Sequence, residues 1–198
     1  MARTQAAEYD QRRRAIVEAA AALYAQHGFL GASVADLAQR CNTSKSLIYH
    51  YYQAKEDILF DVMNTHVQAL DEAAHAISES PERPEKKLRA LAHAFMRLYV
   101  GAADRHVVLL NELDNLPKAR RAEIVKLQRD LIALVRDMLL EIAPRLETKA
   151  RAHAAAMLFF GMINWTHTWF DPNGAVSADE IADMAVDVAL GGLVRAAG

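Results

Sequence analysis

The chain has 198 residues, 53% of them apolar and 24% charged, which is the make-up of an ordinary globular protein long enough to bury a core. Its single cysteine, Cys41, excludes an internal disulfide and suits a reducing cytoplasm, while the charged N-terminus leads into no secretory-type apolar stretch and the longest apolar run, 154–163, is too short to cross a bilayer. The net charge of −2 conceals an asymmetry: residues 1–55 hold seven basic and four acidic side chains, net +3, and the remainder is −5, so only a basic head is expected to meet a polyanion.

In chain order, the residues read almost entirely as helix. From Tyr9 to His27, Ile16, Ala19, Ala20, Leu23 and Tyr24 mark one buried stripe, and Gly28 stands where a helix end needs a residue of positive φ. Ser33, with Asp36 three residues on, predicts a capping box opening a short second helix whose Val34, Leu37, Ala38 and Cys41 face inward. Asn42 and Thr43 break that pattern, and Asn tolerates the left-handed backbone of a tight turn. Ser44 then caps a third helix ending near Tyr52, and two short helices on so tight a turn form a helix-turn-helix. A long helix is predicted from Lys55 to Glu79, ended by the linker 78–84. Further helices are expected over 85–101, 104–114, 118–142 and 146–170, with Pro117 starting and Pro144 ending the third of these. The sequence Asp-Pro-Asn-Gly at 171–174 is a strong turn signal, and Ser177 with Glu180 predicts a capped last helix running to Ala196. No strand pattern, internal repeat or low-complexity tract is present.

The third helix can be sorted by angle at roughly 100° per residue. With Ile48 inward, Tyr52 lies beside it, and the opposite face carries Ser46 and His50 flanked by Lys45, Leu47 and Tyr49. Ser, Lys and His can hydrogen-bond base edges in a major groove, Leu47 can touch a thymine methyl, and tyrosine hydroxyls commonly bind phosphates. A solvated helix with tyrosines packing sideways would use some of the same residues.

The segment 19–59 resembles the DNA-binding head of the TetR/AcrR transcriptional regulators. The resemblance runs through Ala19-Ala20, Leu23-Tyr24, Gly28-Phe29, Ser33, Leu37-Ala38, Ser44-Lys45, Ile48-Tyr49-His50-Tyr51-Tyr52 and Lys55. It implies an all-α fold: an N-terminal three-helix helix-turn-helix domain, residues 1–55, joined by a long helix to a C-terminal effector-binding and dimerisation domain, residues 56–198. It also implies that Ser33 holds a phosphate at the start of the second helix, that Ser44 belongs to the DNA-binding set, that Lys45, Ser46, Leu47 and His50 read bases, and that Tyr49, Tyr51 and Lys55 clamp the backbone. Three departures from the family pattern stand out: Cys41-Asn42-Thr43 in the turn, Leu47 where a small or polar residue is usual, and Tyr52 where Phe is usual. The Tyr52 hydroxyl therefore requires a partner.

In the body, Phe159, Met162, Thr166 and Trp169 fall on one predicted stripe, with Leu158 and Trp165 alongside. Core and dimer seam account for such a stripe, yet Asn164, Thr166 and His167 interrupt it, and an apolar pocket with a few placed polar groups is what a small-molecule site looks like. The candidate effector wall is Phe95, Tyr99, Leu110, Phe159, Met162, Asn164, Trp165, Thr166 and Trp169, with Met96 beside them. The segment 164–174 is similar to the corresponding region of family members that sense acyl-CoA thioesters or related lipid catabolites. In the last helix Ala182, Ala185, Ala189, Gly192 and Leu193 suit close packing of two copies.

Eight histidines raise the question of a metal or an enzyme, but there is no His-Glu-x-x-His, no Cys/His cluster, no Gly-rich phosphate loop and no nucleophile elbow. Neither catalysis, metal nor cofactor is expected. The sequence reads as a cytoplasmic homodimeric repressor, released from a palindromic double-stranded operator by a small hydrophobic or acyl-CoA-like effector and requiring no membrane. A DNA-bound adaptor whose body binds a protein, or an activator, would share the same head.

Overall fold

A computed structural model describes residues 2–146 and 148–195, with side chains over 7–146 and 148–192. Among these residues the chain forms nine α-helices and no strand: α1 Ala2–Gly31, α2 Val34–Arg40, α3 Lys45–Tyr51, α4 Lys55–Ser78, α5 Pro84–Gly101, α6 Ala103–Asn111, α7 Lys118–Ile142, α8 Lys149–Asn164 and α9 Ala178–Arg195. Single 3₁₀ turns at Leu113–Asn115, Pro144–Leu146 and Trp165–Thr168 punctuate the second half. The expected all-α fold is what forms. Leu193 and Ala196, named above for the last helix, lie outside the residues whose side chains or fold are described.

Local chemistry decides most boundaries. α1 begins before Tyr9 and is broken at Gly28, whose φ of 71° and ψ of 160° belong to a region open essentially to glycine. Ser33 and Asp36 close the capping box: the Ser33 hydroxyl accepts the Asp36 N–H at 3.1 Å, and the Asp36 carboxylate accepts the Ser33 N–H at 2.8 Å. Asn42 takes φ 50° in the turn before α3, as a tight connection requires. Ser177 and Glu180 form a second capping box at α9, and Asp171 accepts from Asn173 and Gly174 in the turn before it.

Two compact units result, one comprising the described residues up to Val67 with Asp104–Ile124, the other Gln68–Ala103 with the described residues from Val125 onward. In the first, α1–α3 pack around Ile16, Tyr24, Leu37, Ile48, Ile58 and Leu59, all essentially inaccessible. The segment from α6 to the start of α7 joins that head. Arg105 pairs with Glu18, Arg120 reaches Asp57 at 4.0 Å and stacks 4.3 Å from the Phe60 ring centre, and Glu112 lies against Gly28. His66 and His106 meet in its interior at 3.2 Å, and burial pushes the His66 imidazole down to about 4.

The second unit is built on α5, α8 and α9. Arg89, His93 and Arg97, spaced four residues apart on α5, face Asp179, Asp183 and Asp187, spaced likewise on α9. Arg89 meets Asp183 at 2.6 Å, His93 meets Asp179 at 3.0 Å and Asp183 at 2.9 Å, and Arg97 meets Asp179 at 2.8 Å. The pairing fixes which side of α9 turns inward. Ala182, Ala185 and Val186 are buried, while Met184, Val188, Gly191 and Gly192 face out.

Candidate nucleic-acid interface

α3 is only seven residues long, and its two sides carry opposite chemistry. Ile48 is fully buried and Tyr52, its C-cap residue, nearly so, as the helical angle predicted. Lys45, Ser46, Tyr49 and His50 are exposed together on the other side, and Leu47 and Tyr51 are half-buried at its margin. The Ser44 hydroxyl accepts the Leu47 N–H at 3.2 Å, which leaves its own proton to donate to a ligand.

Ser33 and Lys55 stand apart from that face. The Ser33 hydroxyl donates to Asp36 at 2.7 Å, and these contacts hold the Asp36 carboxyl below its usual range. Where the sequence suggested a phosphate ligand, a serine tied to a carboxylate stands. The Lys55 ammonium folds back onto the end of α1: it donates to the Phe29 carbonyl and sits 4.0 Å from the Phe29 ring centre, and burial lowers its pKa. Its position in the chain suggested a backbone clamp; its side chain braces α4 against Phe29. Positive charge is carried instead by Arg12, Arg14, Arg40 and Lys45, which are exposed and form no ion pair among the described residues.

Between α1 and α3 runs a groove of about 630 Å³, lined by Tyr9, Arg12, Ile16, Cys41, Leu47 and Tyr51 among others. Tyr9 stacks on Tyr51 with ring centres 4.6 Å apart, and the His50 ring meets Tyr51 edge-on at 5.4 Å. Leu47 is thus an edge of the groove as well as a neighbour of the exposed face of α3. The sequence pattern alone does not mark Tyr9 and Arg12, although their spacing of four to Arg13 and Ile16 places them beside the buried stripe of α1.

The candidate effector wall draws on both units. Leu110 belongs to the unit that contains the head, whereas the other eight residues belong to the second unit. Phe95, Tyr99 and Phe159 are core: Phe95 packs 6.1 Å from Tyr99 and 6.0 Å from Phe160, centre to centre. Met162 is half-buried, while Trp165 and Trp169 are 65% and 56% exposed. The tightening to a 3₁₀ turn over Trp165–Thr168 turns Trp169 off the stripe an uninterrupted helix would give. It also satisfies two of the three polar insertions locally, since Thr166 donates to the Ile163 carbonyl at 2.6 Å and His167 Nδ1 lies 2.7 Å from the Asn164 carbonyl. The Asn164 side-chain oxygen is buried without a hydrogen-bond partner among the described residues.

A basic three-helix head with two short helices on a tight turn, the second baring hydroxyl, imidazole and ammonium groups, defines a helix-turn-helix DNA-binding protein. Residues 16–62 match the family described as bacterial regulatory proteins, tetR family, and residues 81–193 match the tetracyclin repressor-like C-terminal domain. The chain belongs to the TetR family of transcriptional regulators. A solved TetR-family regulator from Bordetella parapertussis 12822 is 41% identical, covering 92% of this chain and 96% of its own with a TM-score of 0.87. AibR, solved with isovaleryl coenzyme A and operator DNA, is 27% identical over 89% of this chain and 97% of its own, TM-score 0.79. Among curated relatives, the transcriptional activator FasR of Mycolicibacterium smegmatis is 22% identical over 93% of this chain and 84% of its own. The repressor KstR2 of Mycobacterium tuberculosis is 23% identical over 96% of each. Among the described residues no helix is long and apolar enough to cross a membrane.

Proposed function

We propose that this regulator acts as a homodimer on a palindromic operator and leaves it when a small hydrophobic or acyl-CoA-like effector binds the C-terminal unit. The observation that carries the dimer is an open apolar surface on two helices. Ala154, Leu158 and Gly161 recur along one side of α8 with Trp165 at its C-cap, and Met184, Val188, Gly191 and Gly192 along one side of α9; all are exposed. A Cβ added at Gly161, Gly191 or Gly192 would meet nothing within 4 Å, so a second helix can approach these backbones closely. On a palindromic operator two such copies would read half-sites about 34–36 Å apart, or a multiple of that.

AibR, bound to an acyl-CoA and to DNA, supports the effector class, and KstR2 supports the sign of regulation. FasR supports the activator reading, which needs the same head. On this proposal the bases are read by Lys45, Ser46, Leu47 and His50, and the DNA backbone is met by Ser44, Tyr49 and Tyr51 with Arg12, Arg14 and Arg40. α4, unbroken from Lys55 to Ser78, carries the effector signal to the head. The coupling is reciprocal, so operator DNA weakens effector binding by the factor by which effector weakens operator binding. The test is a titration of short- and long-chain acyl-CoA thioesters, isovaleryl-CoA included, into the protein bound to genomic fragments it has itself captured. Release by at least one thioester, with free coenzyme A inert, is the expected result. Retention of DNA at saturating thioester bound to the protein would refute the switch.

A further inference from the structure

Tyr52 stands at the C-cap of α3, with its N–H donated to the Ile48 carbonyl at 3.0 Å and its ring almost wholly buried. Burial of the ring alone would be served by Phe. What the hydroxyl adds is a three-way junction. It donates to Asp61 Oδ2 at 2.6 Å, and the same oxygen meets Arg13 Nη2 at 2.7 Å. Arg13 Nε donates back to the tyrosine oxygen at 3.3 Å, with its guanidinium 5.7 Å from the ring centre. Asp61 lies on α4, Arg13 on α1 and Tyr52 at the end of α3, so one triangle of charge-assisted contacts ties three helices together.

We propose that Tyr52, Asp61 and Arg13 are positioning residues that fix the angle at which the recognition helix meets DNA. This rests on the reading of α3 as the recognition helix. A seven-residue helix has little packing of its own, and among its residues only Ile48 is fully buried. Its orientation is therefore set at its ends. At the first, the Thr43 N–H is held by the Ala38 carbonyl at 2.8 Å, and the Ser44 cap follows. At the other stands Tyr52. Base contacts depend on side chains held within about half an ångström, whereas phosphate contacts tolerate drift. Loosening the junction should thus harm discrimination more than general affinity. Because Asp61 lies on α4, a displacement of that helix reaches α3 directly through the Asp61–Tyr52 hydrogen bond.

The experiment uses the full chain and two duplexes: one selected from a random library by the wild-type protein, and a scrambled duplex of equal length and composition. Tyr52→Phe removes only the hydroxyl, and Asp61→Asn is a second variant should the first fold poorly. Each is expected to lose about tenfold on the selected duplex, the effect of one charge-assisted hydrogen bond, and less than about twofold on the scrambled one. The salt slope should stay unchanged, since no phosphate contact is removed. The double variant should lose no more than the worse single one, because the three groups act as a unit. Wild-type affinity for both duplexes in both variants, or equal losses on both duplexes, would overturn the proposal. A wild-type chain that selects no sequence from the library would instead refute the DNA-reading function itself, and would do so before any variant is made.

Discussion

Leu158 offers a sharp test of the proposed dimer, because its side chain does little for a single copy. It is 72% exposed in the middle of the α8 stripe, so truncation to alanine should hardly disturb the core around Phe159. Fully burying a leucine side chain contributes about 2 kcal/mol, and the fraction left open on one chain makes roughly 1.4 kcal/mol of this available to an interface. A two-fold interface uses each residue twice, so Leu158→Ala should weaken dimerisation by about 3 kcal/mol, close to a hundredfold in Kd. Sedimentation equilibrium over a dilution series measures that constant, and a urea melt checks that each chain still folds. Operator affinity should fall in step at protein concentrations where the variant dissociates, and recover at higher ones. An unchanged dimer constant, or a wild-type chain that is monomeric throughout, would refute the assignment of α8 and α9.

Other positions separate reading, gripping and folding. Ser46→Ala and His50→Ala should relax discrimination among operator bases by roughly 1–3 kcal/mol per contact, measured on single-base operator variants. Lys45→Ala should flatten the salt dependence of binding by about one unit of slope. Lys55→Ala should leave that slope alone and cost about 1 kcal/mol of stability, because its ammonium lies on the Phe29 ring. Gly28→Ala should destabilise the head by about 1–3 kcal/mol, since the backbone there is open essentially to glycine and the new Cβ would stand 3.4 Å from Glu112. Gly31→Ala, with only the His27 Cβ at 3.8 Å, should be neutral or slightly stabilising in the same urea melts. At His93, burial lowers the pKa, but hydrogen bonds to Asp183 and Asp179 outweigh it and raise the value overall. That stabilisation is complete below the unfolded pKa of about 6.5 and is lost as pH rises through the folded value. Urea midpoints should therefore fall across this window in the wild-type chain and fall less in His93→Gln.

What was legible in the sequence was the chemistry that acts over a few residues. Ser33 with Asp36, Ser44, and Ser177 with Glu180 each satisfy a backbone group within three positions, and Asn42 takes the left-handed backbone of its turn, so type and spacing alone announce them. The inward turn of Ile48 and Tyr52 follows from the helical period. The need of the Tyr52 hydroxyl for a partner was visible too, but not which partner, because Arg13 lies 39 residues away. The same limit hid the α5–α9 ladder, whose partners are more than 80 residues apart, and the folding back of Lys55 onto Phe29. The 3₁₀ turn at Trp165 escaped for another reason: no glycine or proline signals it, and side-chain bonds to carbonyls three residues back stabilise it from within.

The most direct measurement of the central claim is selection of duplexes from a random-sequence library by the full-length protein at physiological salt. Enrichment of one inverted repeat whose half-sites share a face of the helix is expected, with His50→Ala selecting a repeat degenerate at a symmetric pair of positions. Enrichment of no motif, or of an asymmetric one indifferent to changes at Ser46 and His50, would contradict it.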